Sequence, residues 1–210
     1  MPREITKLAY QFDELSESAK EKARDWWREL IDQNDYDYVI EDAVRVGEIL
    51  GIEFSTHSVQ LYGGGTRQEP NIWWSGFYSQ GDGACFEGYY NYKKGALKEL
   101  KAYAPVDENL HRIVARLQEV QKANFYQLHA TVKHTGHYSH SRSTTIEVSR
   151  LDYKDVSESA EEEVASCLRD FMDWIYKQLS TENDYLNSDE QLDDAIRANE
   201  YEFYENGERV

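Results

Sequence analysis

The chemistry-bearing residues of this chain gather in two stretches, 73–92 (WWSGFYSQGDGACFEGYYNY) and 125–150. In the first, two aromatic arms flank Gln80-Gly81-Asp82-Gly83, which reads as a β-hairpin with a tight turn. A carboxylate at such a tip can ligate a cation or orient a ligand, so Asp82 is a candidate, with Gln80 beside it and Glu87 five residues on. Asp and Gly are equally the ordinary residues of a hairpin turn, and that reading stays open. Cys85 is a nucleophile by type. No residue next to it in sequence lowers its pKa and no helix N-terminus follows, so the expectation is a buried strand cysteine.

His134, His137 and His140 are spaced by three in the second stretch. In a strand-turn-strand arrangement His134 and His140 would face each other and share a ligand, or form a polar tip that titrates near neutrality. No cysteines or nearby acids complete a metal set, so no metal and no cofactor are expected. Gly63-Gly64-Gly65-Thr66-Arg67 lacks the Lys-Ser/Thr ending of a phosphate-binding P-loop and reads as a flexible loop to Pro70. Arg67, Lys93, Lys94 and Arg142 would hold an anion if the fold gathers them.

A third group is acidic. Glu161, Glu162 and Glu163 fall in the first turns of a helix, where they suit its dipole, and Asp189, Glu190, Asp193 and Asp194 recur on a last helix. They read either as a solvated face or as a surface imitating the phosphate row of a nucleic acid. Tyr176, Tyr185, Tyr201 and Tyr204 are suitable interface residues beside them.

Hydrophobic periodicity places these groups. Residues 4–12 alternate as a strand. Ser16 caps a helix with Ala19, Ala23, Trp26, Trp27 and Leu30 on one face, and a second helix ends at Gly51. Residues 52–62 alternate as a strand, 72–79 and 84–92 are hairpin arms, and a short helix from 96 stops at Pro105. Asp107 caps a helix to about 122. Residues 125–134 and 140–150 form a second hairpin, a long helix runs from Ser157 or Ser159 to about 179, and Ser188 caps the last helix. About five strands and five helices, not alternating one for one, imply an α+β fold: a mostly antiparallel sheet covered by helices on one side. The expected division is a domain over 1–185 with 186–210 an acidic helix and short strand or tail packed on it.

The 210 residues carry a net charge of −17, with 40% hydrophobic and 13% aromatic residues, which excludes a disordered chain. Residues 51–150 hold nine acids and eleven bases, while 151–210 hold eighteen acids and five bases. That sign argues against direct nucleic-acid binding and for a basic protein partner, with a homodimer also compatible. Two distant cysteines suit a reducing cytoplasm, and no apolar run approaches a membrane span.

Three segments, KLAYQFDELSESAKEKARDWW, SGFYSQGDGACFEG and AIRANEYEFYENGER, resemble a family of phage- and prophage-encoded proteins, some labelled antitoxin of a toxin-antitoxin stability system. The resemblance implies phage origin and a place in the host cytoplasm, and supplies no catalytic residues. The expected function is a non-enzymatic inhibitor of a host defence or nucleic-acid-handling protein, of anti-CRISPR or anti-restriction type. The alternatives are a nucleotide-binding or sequestering protein and an antitoxin.

Overall fold

The computed structural model describes residues 7–210, with only the backbone described at Gln33 and Asn34. In chain order the elements are β1 (Tyr10–Gln11), α1 (Glu17–Arg28), α2 (Asp37–Leu50), β2 (Ile52–Phe54), β3 (Thr56–Gln60), β4 (Thr66–Pro70), β5 (Ile72–Ser75), β6 (Gly83–Phe86), β7 (Gly88–Asn91), α3 (Ala96–Tyr103), α4 (Glu108–Ala123), β8 (Leu128–His134), β9 (Thr144–Arg150), α5 (Glu158–Leu186), α6 (Asp189–Ala198) and β10 (Glu202–Phe203). All strand pairs are antiparallel, so the fold is α+β, as the mixture of periods implies. Among the described residues, ten short strands in several sheets stand where about five were expected, and six α-helices where about five were expected. The expected first strand covers only Tyr10–Gln11 within the described residues, and positions 4–6 lie outside them.

The chain divides into two compact units, Met1–Asp37 with Ser180–Val210, and Tyr38–Leu179. These limits differ from 1–185 and 186–210, because the N-terminal segment packs with the C-terminal one.

In the first unit, Ser16 Oγ accepts from Ala19 N and starts α1, and Ser188 Oγ accepts from Gln191 N and starts α6. β1 pairs with β10, so the segment at 10–11 meets the one at 202–203. Phe12, Leu15, Ala19, Ala23, Ile196 and Phe203 form the core, with Trp26, Trp27 and Tyr201 half-buried against it. The Arg209 guanidinium lies over the rings of Trp26 and Tyr201, 5.0 and 4.6 Å from their centroids. Gly207 holds φ +84°, and a Cβ there would stand 2.1 Å from Ala19 O. Only glycine lets the Asn206-Gly207 turn lie on α1.

The second unit is built on a four-stranded sheet in the order β2-β7-β8-β9. Leu128, Ala130 and Val132 on β8 are buried, alternating with half-buried or exposed His129, Thr131 and Lys133, so one face is apolar. Phe86, Leu100, Ile113, Val114, Leu117, Leu168, Phe171 and Ile175 are buried in the same unit. Each Leu, Ile or Phe so covered contributes about 1.5–3 kcal/mol. Gln121 of α4 is fully buried and satisfied, donating to Leu128 O and Tyr90 Oη and accepting from Leu128 N.

The expected 52–62 strand and the second hairpin arm, 84–92, are bent, which splits each into two strands, while the first arm, 72–79, is a strand only to Ser75. At the bend Ser55 N donates to Glu87 O (2.9 Å), Glu87 N to Asn71 O (2.9 Å) and Asn71 N to Ser55 O (2.7 Å), a closed triangle of backbone hydrogen bonds. From this junction β2 continues against β7, β3 against β4, and β5 against β6. The expected loop at 63–70 is therefore in part a strand: β4 makes an exposed hairpin with β3, and only the glycines at its tip are loop.

Candidate functional site

The two candidate tips come together. β5 and β6 pair Trp73 with Cys85 and Ser75 with Gly83, which leaves 76–82 as a seven-residue loop rather than a tight turn. β8 and β9 pair up to His134 and Thr144, leaving 135–143 as the second loop. A Cβ built on Gly83 would sit 2.9 Å from His140 Cδ2, and one on Gly81 would be 3.8 Å from Tyr138 Cδ1. Between the loops lies a cleft of about 460 Å³, lined by Gln80, Gly81, Tyr138, His140, Ser141, Arg142, Ser143 and Asp173.

Both loops are fixed from within. Asp82 Oδ2 accepts from Tyr78 N (2.9 Å) and Ser79 N (2.6 Å), so its carboxylate closes its own loop. Gly76 makes room for it: a Cβ there would meet Asp82 Oδ2 at 2.5 Å, at φ +45°. Tyr176 of α5 holds the same loop, its hydroxyl 3.3 Å from Gly76 O and its ring stacked on Phe77. Burial, helped by the Asp82 charge, raises the Tyr176 pKa and keeps this hydroxyl a donor. In the second loop, Thr135 N and Gly136 N donate to Ser143 O, and Thr144 Oγ1 donates to Ser141 O. Asp82→Ala should leave the fold intact, cost about 1 kcal/mol, and speed amide hydrogen exchange at Tyr78 and Ser79; unchanged exchange there would contradict the role given to Asp82.

Of the expected ligand-binding residues, Gln80 and His140 line the cleft, and Asp82 supports one wall. Glu87 and His134 have other work. Glu87 Oε2 accepts from Asn71 Nδ2 (2.9 Å) and Oε1 from His134 N (3.1 Å), tying the end of β8 to the strand junction. His57 Nδ1 lies 2.9 Å from Asn71 Oδ1 and extends the network. The His134 ring packs at a tilt of 32° against Trp73, 5.5 Å between centroids, and its Nε2 lies 3.1 Å from Tyr138 O. His134 and His140 do not face each other as a pair: His134 opposes Thr144, and His140 Nδ1 accepts from Arg142 N (3.0 Å). Among the described residues no group of three His, Cys, Asp or Glu could hold a metal ion.

Cys85 is fully buried, and burial pushes its thiol up to about 12, with the nearby Glu87 charge acting in the same direction. Cys167 is likewise buried and pushed up to about 12, chiefly by burial. The four expected anion-holding cations are not gathered. Arg67 pairs with Glu69, Lys93 binds Glu48 O and Glu99 beside a different cleft, and Arg142 alone lines the cleft between the loops. Asp173 was invisible to sequence reasoning as a cleft residue, since it lies on α5, thirty residues beyond the loop it faces.

The seven acids fall in different units. Glu163 pairs with Arg116 (2.7 Å), which also binds Asp170 and Ser166, and this guanidinium holds the Glu163 carboxyl below the usual range. Asp193 makes a bidentate contact with Arg24 (2.7 and 3.1 Å), Asp189 meets Arg28 (3.1 Å), and Asp194 meets Arg197 (3.2 Å). Glu161, Glu162 and Glu190 are exposed and make no ion pair among the described residues.

Fold and site thus define a two-unit α+β protein with a preformed loop cleft and a strongly acidic helical surface. The chain belongs to the family described as Domain of unknown function (DUF8835), which matches residues 35–189. No curated protein and no solved structure matches it. Among the described residues no helix is long and apolar enough to cross a membrane.

Proposed function

We propose that this is a phage-encoded, non-enzymatic inhibitor that binds a basic surface on a host defence or nucleic-acid-handling protein. The observation that carries the reading is the charge of the first unit: its 68 residues hold twenty acids and eight bases, net −12 of the −17. Lys20, Arg24, Arg28 and Arg197 are neutralised by carboxylates of the same unit, so its outward field is negative. Asp184, Glu190, Glu200, Glu202, Glu205 and Glu208 are exposed carboxylates outside those pairs. Such a surface favours a protein whose groove is built for phosphates and steers its approach. A toxin with a basic face would satisfy the same chemistry, which is the antitoxin variant of this reading, and the identity of the partner separates the two.

The test is affinity capture from lysate of the bacterial host, with the captured protein then challenged by nucleic acid. The proposal expects a basic partner whose release by added DNA or RNA shows that the two compete for one surface. Capture of nothing, or of a partner indifferent to both salt and nucleic acid, would overturn it.

A further inference from the structure

We propose that the cleft between loops 76–82 and 135–143 binds a nucleoside monophosphate. This is a second binding function, carried by the other unit and independent of the acidic surface. All the cleft's polar side chains except Asp173 can donate a hydrogen bond. The Arg142 guanidinium makes no hydrogen bond or ion pair among the described residues, in a chain where most arginines are paired. An unpaired guanidinium in a concave site is built to receive a planar or tetrahedral anion through several N–H groups. His140 adds a donor of known identity: its Nδ1 accepts from Arg142 N, so the neutral ring carries its proton on Nε2. Gln80 and Ser143 contribute an amide and a hydroxyl. Together these groups suit a phosphate.

Two further features ask for more than a phosphate. Tyr138 is 63% exposed, with its ring beside Gly81 and edge-to-face with His137 at 5.2 Å, and its exposed ring surface offers stacking to a planar base. Asp173 is the one carboxylate in the lining and supplies an acceptor for ribose hydroxyls or an exocyclic amine. The volume of about 460 Å³ lies within the range of small-molecule sites. Both walls are held before any ligand arrives, one by Asp82 and Tyr176, the other by Ser143 O and Thr144 Oγ1, so little ordering entropy is spent on binding.

Calorimetric titration of the full-length protein with adenosine 5′-monophosphate, uridine 5′-monophosphate, adenosine and inorganic phosphate tests this. At least one monophosphate is expected to bind, with the nucleoside and inorganic phosphate each at least about tenfold weaker. Arg142→Gln should weaken the monophosphate at least about tenfold. Gly81→Leu should block it: Gly81 has no positive φ, and its Cβ would meet only Tyr138 Cδ1, at an ordinary contact distance of 3.8 Å, so the leucine enters the cleft without strain on the backbone. Arg169→Gln, which removes a guanidinium outside the lining, should leave affinity unchanged. Thermal melts of all three variants should match the wild type. Binding of neither monophosphate overturns the proposal, as does affinity unchanged by both Arg142→Gln and Gly81→Leu. Adenosine or inorganic phosphate binding as tightly as its nucleotide overturns the nucleotide assignment. None of these outcomes bears on the acidic surface.

Discussion

Replacing Glu87 with alanine should destabilise the Tyr38–Leu179 unit by about 2–4 kcal/mol in chemical denaturation, the cost of stranding two half-buried donors. The carboxylate accepts from the Asn71 amide and from His134 N, and no water reaches these groups as freely as in an unfolded chain. Domains are stable by roughly 5–15 kcal/mol, so the loss is a large fraction of the whole. Glu87→Gln keeps one acceptor oxygen and should lose about 1 kcal/mol. The graded series separates two roles for one residue. A carboxylate serving only a ligand would leave denaturation unchanged in both variants. The strand junction requires it to fall in both, and further in alanine.

The second large effect is expected at Arg24. It is 9% exposed, and it binds Asp193 through two hydrogen bonds and Glu21 through a third. Removing one member of a buried pair strands the other, at roughly 3–5 kcal/mol for full burial. Asp193 keeps 18% of its side-chain exposure, so Arg24→Leu should cost about 2–3 kcal/mol. The double variant Arg24→Leu, Asp193→Leu should recover most of that, because an apolar pair needs no compensation. The effect also depends on pH. Hydrogen bonds from Arg28 and then Arg24 hold the Glu21 carboxyl below its ordinary value, so this stabilisation is complete above the unfolded carboxylate pKa, about 4.3. It is lost as pH falls through the lower folded value. The gap in melting temperature between wild type and Arg24→Leu should therefore narrow as pH falls below about 4. A gap constant from neutral to pH about 3 would mean that packing, not charge, holds the helices.

The sequence was legible where the physics is local. Ser16, Asp107 and Ser188 each cap the helix that their positions imply, because an N-cap acts on amides three residues on. Gly51 ends α2 at φ +91°, as a glycine stop should. Pairings between distant residues were not legible. Asp193 and Arg24 are 169 residues apart, so the helical spacing of Asp189, Glu190, Asp193 and Asp194 shows a common side of α6 but not the arginines waiting for three of them. Strand β4, TRQEP, has no buried face and ends in proline, so its alternation carries no hydrophobic signal and it reads as loop. The triangle at Ser55, Asn71 and Glu87 joins three strand pairs through backbone groups alone, and no side-chain pattern announces it. Of the cleft, Gln80 and His140 could be picked out as polar residues at hairpin tips, while Asp173 could not, because only the fold brings α5 beneath them.

The acidic unit is the centre of the account, and its exposed carboxylates can be changed without touching the pairs that hold α1 and α6. The variant Glu190→Lys, Glu202→Lys, Glu205→Lys, Glu208→Lys leaves Arg24, Arg28 and Arg197 with their partners, so it should fold and melt as the wild type does. The most direct measurement is the dissociation constant of the captured host protein for wild type and for this variant at low salt. The account predicts a rise of at least about tenfold, with most of the change in the association rate. An unchanged constant in a variant shown to be folded would contradict it.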